Sequence, residues 1–221
     1  MRPLLAALVL LLTPAAAAQY TLYGGLTDAV NAFGDTNGAE QGRAGYGLAA
    51  GFDYEVPSRY ERGLTVVLGL AVMTSAFDDA DLRDDLFGMG IREGGLSAQP
   101  YVHVPASFGF RYRLFDKARL SPTLGGRVLY SITRFPRLEI TDLMGNEIEV
   151  EATSAGGFGF SGDVGLAIGD RFDVGVRYLG MGERRFEVEF NAELVGGDEA
   201  SIVGIGNQPV SVALLYAAFR L

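Results

Sequence analysis

In several short stretches, large apolar residues occupy every second position, and a charged residue occupies a position between them. Arg127 stands in GRVLY, Asp163 in SGDVG and Arg177 in GVRYL. Side chains alternate across a β-strand, so each charge lies on the face opposite its apolar neighbours. Six more charges follow this pattern: Asp53, Glu55, Arg111, Arg113, Asp173 and Arg220. Because an enclosed charge is costly unless it is paired, this face predicts an ion network.

A polar pair lies on the same face of another stretch. His103 is the only histidine, and Ser107 follows it four residues later. Histidine with serine and an acid is typical of nucleophilic catalysis, as in a lipid-modifying hydrolase or acyltransferase. Residues four apart on a strand are about 13 Å apart, although Ser131 on another strand could be closer. We therefore expect His103 to be a hydrogen-bonded interior residue, with no enzymatic role and no cofactor.

An acidic segment contains Asp78, Asp79, Asp81, Asp84 and Asp85. A calcium-binding EF-hand loop needs oxygen ligands at fixed offsets and a glycine at its sixth position, which this segment lacks. The default interpretation is a solvated loop. The alternative is weak binding of divalent cations that bridge lipopolysaccharide phosphates, and no defined metal site is predicted.

The strand pattern is clearest in Arg43–Val56, which reads RAGYGLAAGFDYEV. One face is apolar or aromatic, and the other carries glycines and charges. The apolar set is Ala44, Tyr46, Leu48, Ala50, Phe52, Tyr54 and Val56. Aromatic residues at both ends of an apolar face are typical of transmembrane β-strands. We expect the glycines to make room for larger inward side chains, including Arg127 and Arg177.

The same alternation recurs eight times and predicts an all-β fold. We expect an eight-stranded antiparallel up-and-down transmembrane β-barrel with short periplasmic turns and long extracellular loops. The long connections are 26–42, 78–98, 133–154 and 180–209, and the short ones are 57–63, 115–119 and 169–170. Arg127, Asp163 and Arg177 should lie at mid-depth, with the other six charges near the periplasmic end.

Two strands carry further signals. Pro105 lacks a backbone N–H, so we expect an irregularity or bulge at its position in the strand 99–114. The alternation of Phe186, Val188 and Phe190 with charged residues predicts a strand that extends above the membrane. If this strand is uncovered, its apolar side could instead serve for adhesion or for β-augmentation, the addition of a strand from another chain.

The first eighteen residues have the features of a secretory signal peptide. Arg2 is followed by the apolar run Leu4–Leu12, and Ala16 and Ala18 form an A-x-A cleavage site before Gln19. That run is too short to span a bilayer as a helix. We expect residues 1–18 to be removed and residues 19–221 to form one outer-membrane barrel domain.

Composition narrows the possible functions. The net charge of −9 argues against nucleic-acid binding, and the absence of cysteine excludes thiol chemistry and disulfides. A soluble up-and-down barrel such as a lipocalin is the main alternative, with its greasy face turned inward. The opposite face of these strands carries too few charges to make the exterior of a soluble barrel, which favours the membrane barrel.

The chain resembles the small outer-membrane β-barrel proteins of the Bacteroidetes type, akin to the eight-stranded OmpA and OmpX domains. Three segments look like that family's strands: YTLYGGL at Tyr20–Leu26, YVHVP at Tyr101–Pro105 and SPTLGG at Ser121–Gly126. The closing Ala218–Leu221 stands where the family usually ends in an aromatic residue, and Leu221 departs from that pattern. The resemblance implies the outer membrane as location and no shared catalytic residues.

Two functions are open at this point. The first is a structural or surface-interaction protein whose lumen is filled by side chains, as an eight-stranded barrel's interior allows. The second is a small porin-like conduit for ions or apolar molecules. The expected partners are outer-membrane lipid, lipopolysaccharide and the barrel-assembly machinery during insertion.

Overall fold

The computed structural model describes residues 18–33, 44–78, 93–115, 118–143, 145–193 and 199–221. Their strands are β1 (Gln19–Ala29), β2 (Gly47–Pro57), β3 (Leu64–Ser75), β4 (Glu93–Ala98), β5 (Tyr101–Arg113), β6 (Leu120–Arg134), β7 (Leu138–Asp142), β8 (Glu147–Ala152), β9 (Ala155–Ile168), β10 (Phe172–Glu193) and β11 (Glu199–Arg220). A 3₁₀ turn covers Asn31–Phe33. Within these ranges, no helix has the length and apolar character needed to cross a membrane.

Eight strands close into a ring. Their order is β1, β2, β3, β5, β6, β9, β10 and β11, and all neighbouring pairs are antiparallel. The ring closes because β11 pairs with both β10 and β1. The prediction of an all-β, eight-stranded antiparallel up-and-down barrel is confirmed.

The two faces of the ring differ as the alternation predicts. On β6, Val128 is 62% exposed, whereas the adjacent Arg127 is 4% exposed. On β3, Leu70 and Val72 are exposed, whereas Val67 is buried. The apolar side chains point away from the barrel axis, which is the reverse of a soluble barrel.

Aromatic pairs lie near both ends of the exterior. Near the short turns, Tyr20 packs on Tyr54 and Phe172 on Phe219, with ring centroids 5.3 Å and 5.1 Å apart. Near the long connections, Tyr130 packs on Phe158 at 5.2 Å and Phe160 on Tyr178 at 6.0 Å. These pairs form two girdles around the apolar belt, as in transmembrane barrels.

Two strand details differ from the prediction, and a third agrees with it. The second strand begins at Gly47 and not at Arg43, and Ala44 is buried in a bridge to Phe77 instead of facing outward. The first strand does not stop where the long connection 26–42 was expected to begin but continues to Ala29. The expected irregularity at Pro105 is present: its pairing with β6 is continuous, but the β3–β5 ladder is interrupted between Ala106 and His103, without a bulge.

Three of the long connections contain strands. The segment 180–209 continues β10 and β11 as a hairpin, and each of these strands has 22 residues. The segment 133–154 contains β7 and β8, and β4 lies within 78–98. Above the ring, β11, β10, β8, β7 and β4 pair in that order. We call these paired segments the upper sheet.

A β-bulge separates the ring from the upper sheet. In the β10–β11 ladder, Gly180 pairs with Ser211 and Gly182 with Val210, so Met181 is the extra residue. One inserted residue reverses which parity faces inward. Below the bulge the even residues of β10, such as Val176, face outward, and above it Arg184 is buried on the lumen side.

Candidate functional site in the barrel lumen

Charged side chains meet in the half of the lumen nearest the short turns. They are Asp53, Glu55, Arg111, Arg127, Asp163, Asp173, Arg177 and Arg220, from β2, β5, β6, β9, β10 and β11. We call these eight residues the lumen network. Its four arginines balance its four carboxylates, so the network has no net charge.

Asp53 is the centre of the lumen network. Its carboxylate accepts two hydrogen bonds from Arg127, Nη1 to Oδ1 at 2.7 Å and Nη2 to Oδ2 at 2.9 Å. Arg177 Nη2 donates to Oδ2 at 3.3 Å, and Arg111 Nη2 lies 3.6 Å from the same oxygen. The two-pronged Arg127 contact is the strongest geometry for such a pair.

Two further short pairs lie closer to the turns. Arg111 Nη1 donates to Glu55 Oε1 at 2.7 Å, and this oxygen also accepts from Thr21 Oγ1 at 3.2 Å. Arg220 Nη2 lies 2.7 Å from Asp173 Oδ2, and its Nε lies 3.7 Å from Glu55 Oε2. These contacts tie the closing strand β11 to β2 and β10 across the lumen.

Asp163 supplies negative charge without short hydrogen bonds. Its oxygens lie 3.6 Å from Arg127 Nε, 3.8 Å from Arg111 Nε and 3.8 Å from Arg177 Nε. Neither oxygen has a hydrogen-bond partner among the described residues. Asp163 therefore balances the charge of three arginines through space.

Two tyrosines line the lumen network. The guanidinium carbon of Arg177 lies 4.8 Å from the ring centroid of Tyr23 and 5.2 Å from that of Tyr216. Such cation–π contacts stabilise a desolvated guanidinium. Sequence reasoning did not assign these tyrosines to the site, although the alternation of β1 and β11 places both on the inward face.

The lumen network differs from the predicted arrangement in two respects. The charges form one continuous network instead of two groups at different depths, because Asp53 binds Arg127 and Arg177 directly. Arg113 lies apart: its Nη2 donates to the carbonyls of Ala118 and Gly169, and its Nη1 lies 3.5 Å from Asp170. Barrel strands are tilted, so position along one strand does not give depth directly.

Glycine makes room for the network, but at other positions than predicted. A Cβ at Gly69 on β3 would lie 2.5 Å from Asp53 Oδ1 and 3.1 Å from Arg127 Nη1. At Gly51 on β2 a Cβ would instead meet the ring of Tyr23 at 2.6 Å. Gly51 on β2 therefore makes room for a large inward side chain, as expected, but this side chain is Tyr23 and not Arg127 or Arg177.

The half of the lumen nearest the long connections is aromatic. Phe33, from the 3₁₀ turn after β1, is buried with its ring centroid 5.0 Å from that of Tyr101 and 5.5 Å from that of His103. Phe135 stacks on Phe186 with centroids 3.9 Å apart. Sequence reasoning did not find Phe33 or Phe135, because both lie outside the alternating pattern.

His103 is buried and bonded to a neutral partner. Its Nδ1 lies 3.1 Å from Thr133 Oγ1, and its Nε2 has no hydrogen-bond partner in the described part of the chain. The structure does not bring it to Ser107, and Ser131 instead accepts a hydrogen bond from Arg184. No described contact joins His103 to a serine and an acid.

Other predictions lie largely outside the described residues. Residues 79–85 of the acidic segment and residues 1–17 of the expected signal peptide are not described. Among the residues that are described, no group of His, Cys, Asp and Glu could hold a metal ion.

The fold can be compared with known proteins. No protein-family model and no curated protein matches the chain. Among solved structures, it is similar to a major outer membrane protein from Thermus thermophilus, with TM-score 0.51, 17% identity, and 93% of this chain and 100% of that chain covered. The chain has the fold of a bacterial outer-membrane β-barrel.

Two further similar structures have lower scores. For neisserial surface protein A the TM-score is 0.46 at 13% identity, with 92% of this chain and 96% of that chain covered. For Ail, the attachment invasion locus protein of Yersinia pestis, it is 0.45 at 9% identity, with 92% and 97% covered.

This outer-membrane barrel is oriented by its turns. The apolar belt faces lipid, and the short turns face the periplasm. The long connections and the upper sheet therefore lie on the extracellular side. The lumen network is on the periplasmic side of the barrel, and the aromatic cluster is at its extracellular mouth.

Proposed function

We propose that this outer-membrane barrel is a non-conducting anchor whose upper sheet binds other proteins at the cell surface. The observation that carries the proposal is a strand edge of the upper sheet with which no described strand pairs. The filled lumen supports the non-conducting part. We propose two further kinds of partner. They are the outer-membrane lipid and lipopolysaccharide around the belt, and the barrel-assembly machinery during insertion.

The filled lumen argues against a conduit. An ion or apolar molecule would have to pass both the lumen network and the aromatic side chains around Phe33. Moving the network requires the separation of paired charges inside the protein, which is costly. The proposal likewise gives His103 no catalytic role.

The upper sheet extends far above the belt. Residues 183–193 of β10 cover roughly 35 Å along the strand, at about 3.3 Å per residue. Its outer face is acidic: the register places Glu189 beside Glu151 and Asn191 beside Glu149. Arg137 holds this face together through Glu139 at 3.3 Å, Glu151 at 2.9 Å and Glu149.

One edge of the upper sheet is open to strand addition. β11 pairs with β1 only from Val212 onward, and no described strand pairs with residues 199–210 on that side. Val203 and Ile205 are 66% and 63% exposed there. The stretch 200–208 of this edge contains no charged residue, and an apolar strand edge of this kind is a template for pairing with another chain.

The backbone direction identifies the available donors. The Ser211 carbonyl accepts from Val30 on the β1 side, and Leu221 N donates to Tyr20 on that side. Backbone groups alternate sides along an antiparallel strand. The backbone N–H groups of the odd-numbered edge residues therefore point away from β10 and are available as donors. These residues are Ser201, Val203, Ile205 and Asn207.

A proline substitution tests the edge. Ile205→Pro removes one outward N–H and leaves the β10–β11 hydrogen bonds in place. Ile205→Ala is the matched control, because it removes the side chain but keeps the donor. With a soluble peptide of alternating valine and threonine as probe, we expect hydrogen-exchange protection of the backbone N–H groups at positions 203 and 205 in the alanine variant. Ile205→Pro should abolish the binding, and equal binding by both variants would contradict the proposal.

Planar-bilayer recordings test the anchor. We expect the purified barrel to give no steady conductance. Regular single-channel steps in the unmodified protein would overturn the non-conducting part and favour a conduit.

A further inference from the structure

One buried arginine of the barrel has no carboxylate partner. Arg184 is 1% exposed, yet no acidic group of the described residues lies within ion-pair distance of it. The other fully enclosed arginines, Arg111, Arg127 and Arg177, all contact carboxylates. A buried charge without a counter-ion is costly, so Arg184 requires an explanation.

The hydrogen bonds of Arg184 all go to neutral acceptors. Nη2 donates to Ser131 Oγ at 2.6 Å and to the Gly157 carbonyl at 3.2 Å, and Nη1 donates to the Glu183 carbonyl at 3.4 Å. Nε has no partner among the described residues. These bonds fix the guanidinium in place, and no described carboxylate compensates its charge.

The side chain is held by backbone geometry. The β9–β10 ladder ends at Phe160 and Gly180, and Arg184 occupies the space beyond it. A Cβ at Gly157 would clash with Arg184 Nη1, so this glycine makes room for the guanidinium. The bulge at Met181 turns Arg184 inward.

A second unpartnered polar group lies nearby. Thr133 pairs directly with His103 across the β5–β6 ladder and also bonds its side chain. On the inward face of β6, Thr133 is two residues from Ser131. His103 and Ser131 are therefore diagonal neighbours on adjacent strands, and residues in this relation lie about 7–8 Å apart. The imidazole of His103 and the guanidinium of Arg184 are thus held by neighbouring inward positions of β6, Thr133 and Ser131, and His103 Nε2 also lacks a partner among the described residues.

We propose that Arg184 and His103 form a binding site for an oxyanion, a carboxylate or phosphate group, at the extracellular mouth of the lumen. The guanidinium supplies charge and planar donors that match such a group, and the imidazole Nε2–H tautomer supplies a further donor. Ser131 and Thr133 hold the two side chains in position. The oxyanion can come from a small solute or from a lipopolysaccharide phosphate.

The test uses the folded barrel in zwitterionic detergent at constant ionic strength. His103 is the only histidine, so its ring signals identify themselves in an NMR spectrum. Titration with inorganic phosphate, with acetate and with purified lipopolysaccharide should shift these signals saturably. A response to the small anions indicates a solute site, and a response to lipopolysaccharide alone indicates a lipid site.

Matched charge variants separate a site from general screening. Arg184→Gln should weaken the apparent affinity about tenfold or more, because a charged hydrogen-bond partner is lost. Arg185→Gln removes the same charge from the adjacent exposed position and should leave the titration unchanged. If Arg184→Gln does not fold, the anion-dependent rise of the unfolding temperature in Arg185→Gln and the unmodified protein is the readout. No saturable response to any of the three probes, or equal responses in both variants, would overturn the proposal.

Discussion

The lumen network predicts a large and specific loss of stability when Asp53 becomes asparagine. Asp53→Asn keeps the size of the side chain and removes one of four negative charges. Arg127 then loses both short charged contacts at 2.7 Å and 2.9 Å, and Arg177 loses its contact at 3.3 Å. The buried network is left with an excess positive charge.

The magnitude follows from these contacts. Removal of one partner from a buried ion pair costs about 3–5 kcal/mol. Asp163 lies 3.6 Å from Arg127 Nε and 3.8 Å from Arg177 Nε, so it compensates part of the loss. The asparagine oxygen can still accept one hydrogen bond. We therefore expect about 3 kcal/mol, the lower end of that range.

A double-mutant cycle measures the coupling. The chain has no tryptophan, so urea unfolding of the barrel in lipid vesicles is followed by far-UV circular dichroism. Arg127→Gln alone should also destabilise, whereas Asp53→Asn with Arg127→Gln restores charge balance and should lose less than the sum. We expect a coupling of about 1–3 kcal/mol. Strictly additive losses, or an Asp53→Asn variant as stable as the unmodified barrel, would refute this account of the lumen.

Two further predictions concern the faces of the strands. Leu68→Arg on the lipid face should cost about 2–4 kcal/mol near the midplane, whereas Ala71→Ser in the lumen should be mild. Equal urea midpoints for the two variants would contradict this assignment of the faces. Deletion of Met181 removes the bulge and turns Phe186 and Val188 to the outer side, so the upper sheet should become sensitive to added protease while the barrel keeps its circular dichroism spectrum. Unchanged protease resistance would contradict the role of the bulge.

Much of the barrel follows from local alternation. Strict alternation over Gly47–Val56 and its seven counterparts assigns the side chains to lipid or lumen, because one face must meet hydrocarbon. The same rule places Arg127, Asp163 and Arg177 inside, where charge requires pairing. This is why eight of the nine predicted charges are found in one network.

The depth of each charge does not follow from alternation. Strand tilt and register determine which residues are level with each other, and both are properties of the closed ring. Arg113 illustrates this, since it shares a face with Arg111 but contacts the turn carbonyls of Ala118 and Gly169. Phe33 fills the extracellular mouth from a turn whose sequence has no period that could predict it.

The bulge explains why the upper sheet was predicted only in part. Apolar residues occupy even positions of β10 both in the belt, at Val174 and Val176, and above it, at Phe186 and Val188. An uninterrupted strand would point all of them outward, into lipid below and into water above. Met181 shifts the parity by one, so Phe186 stacks on Phe135 and the charged odd residues face solvent. The apolar residues of β10 therefore alternate with the same period beside lipid and beside water. One inserted residue, Met181 between Gly180 and Gly182, turns them outward below the bulge and inward above it.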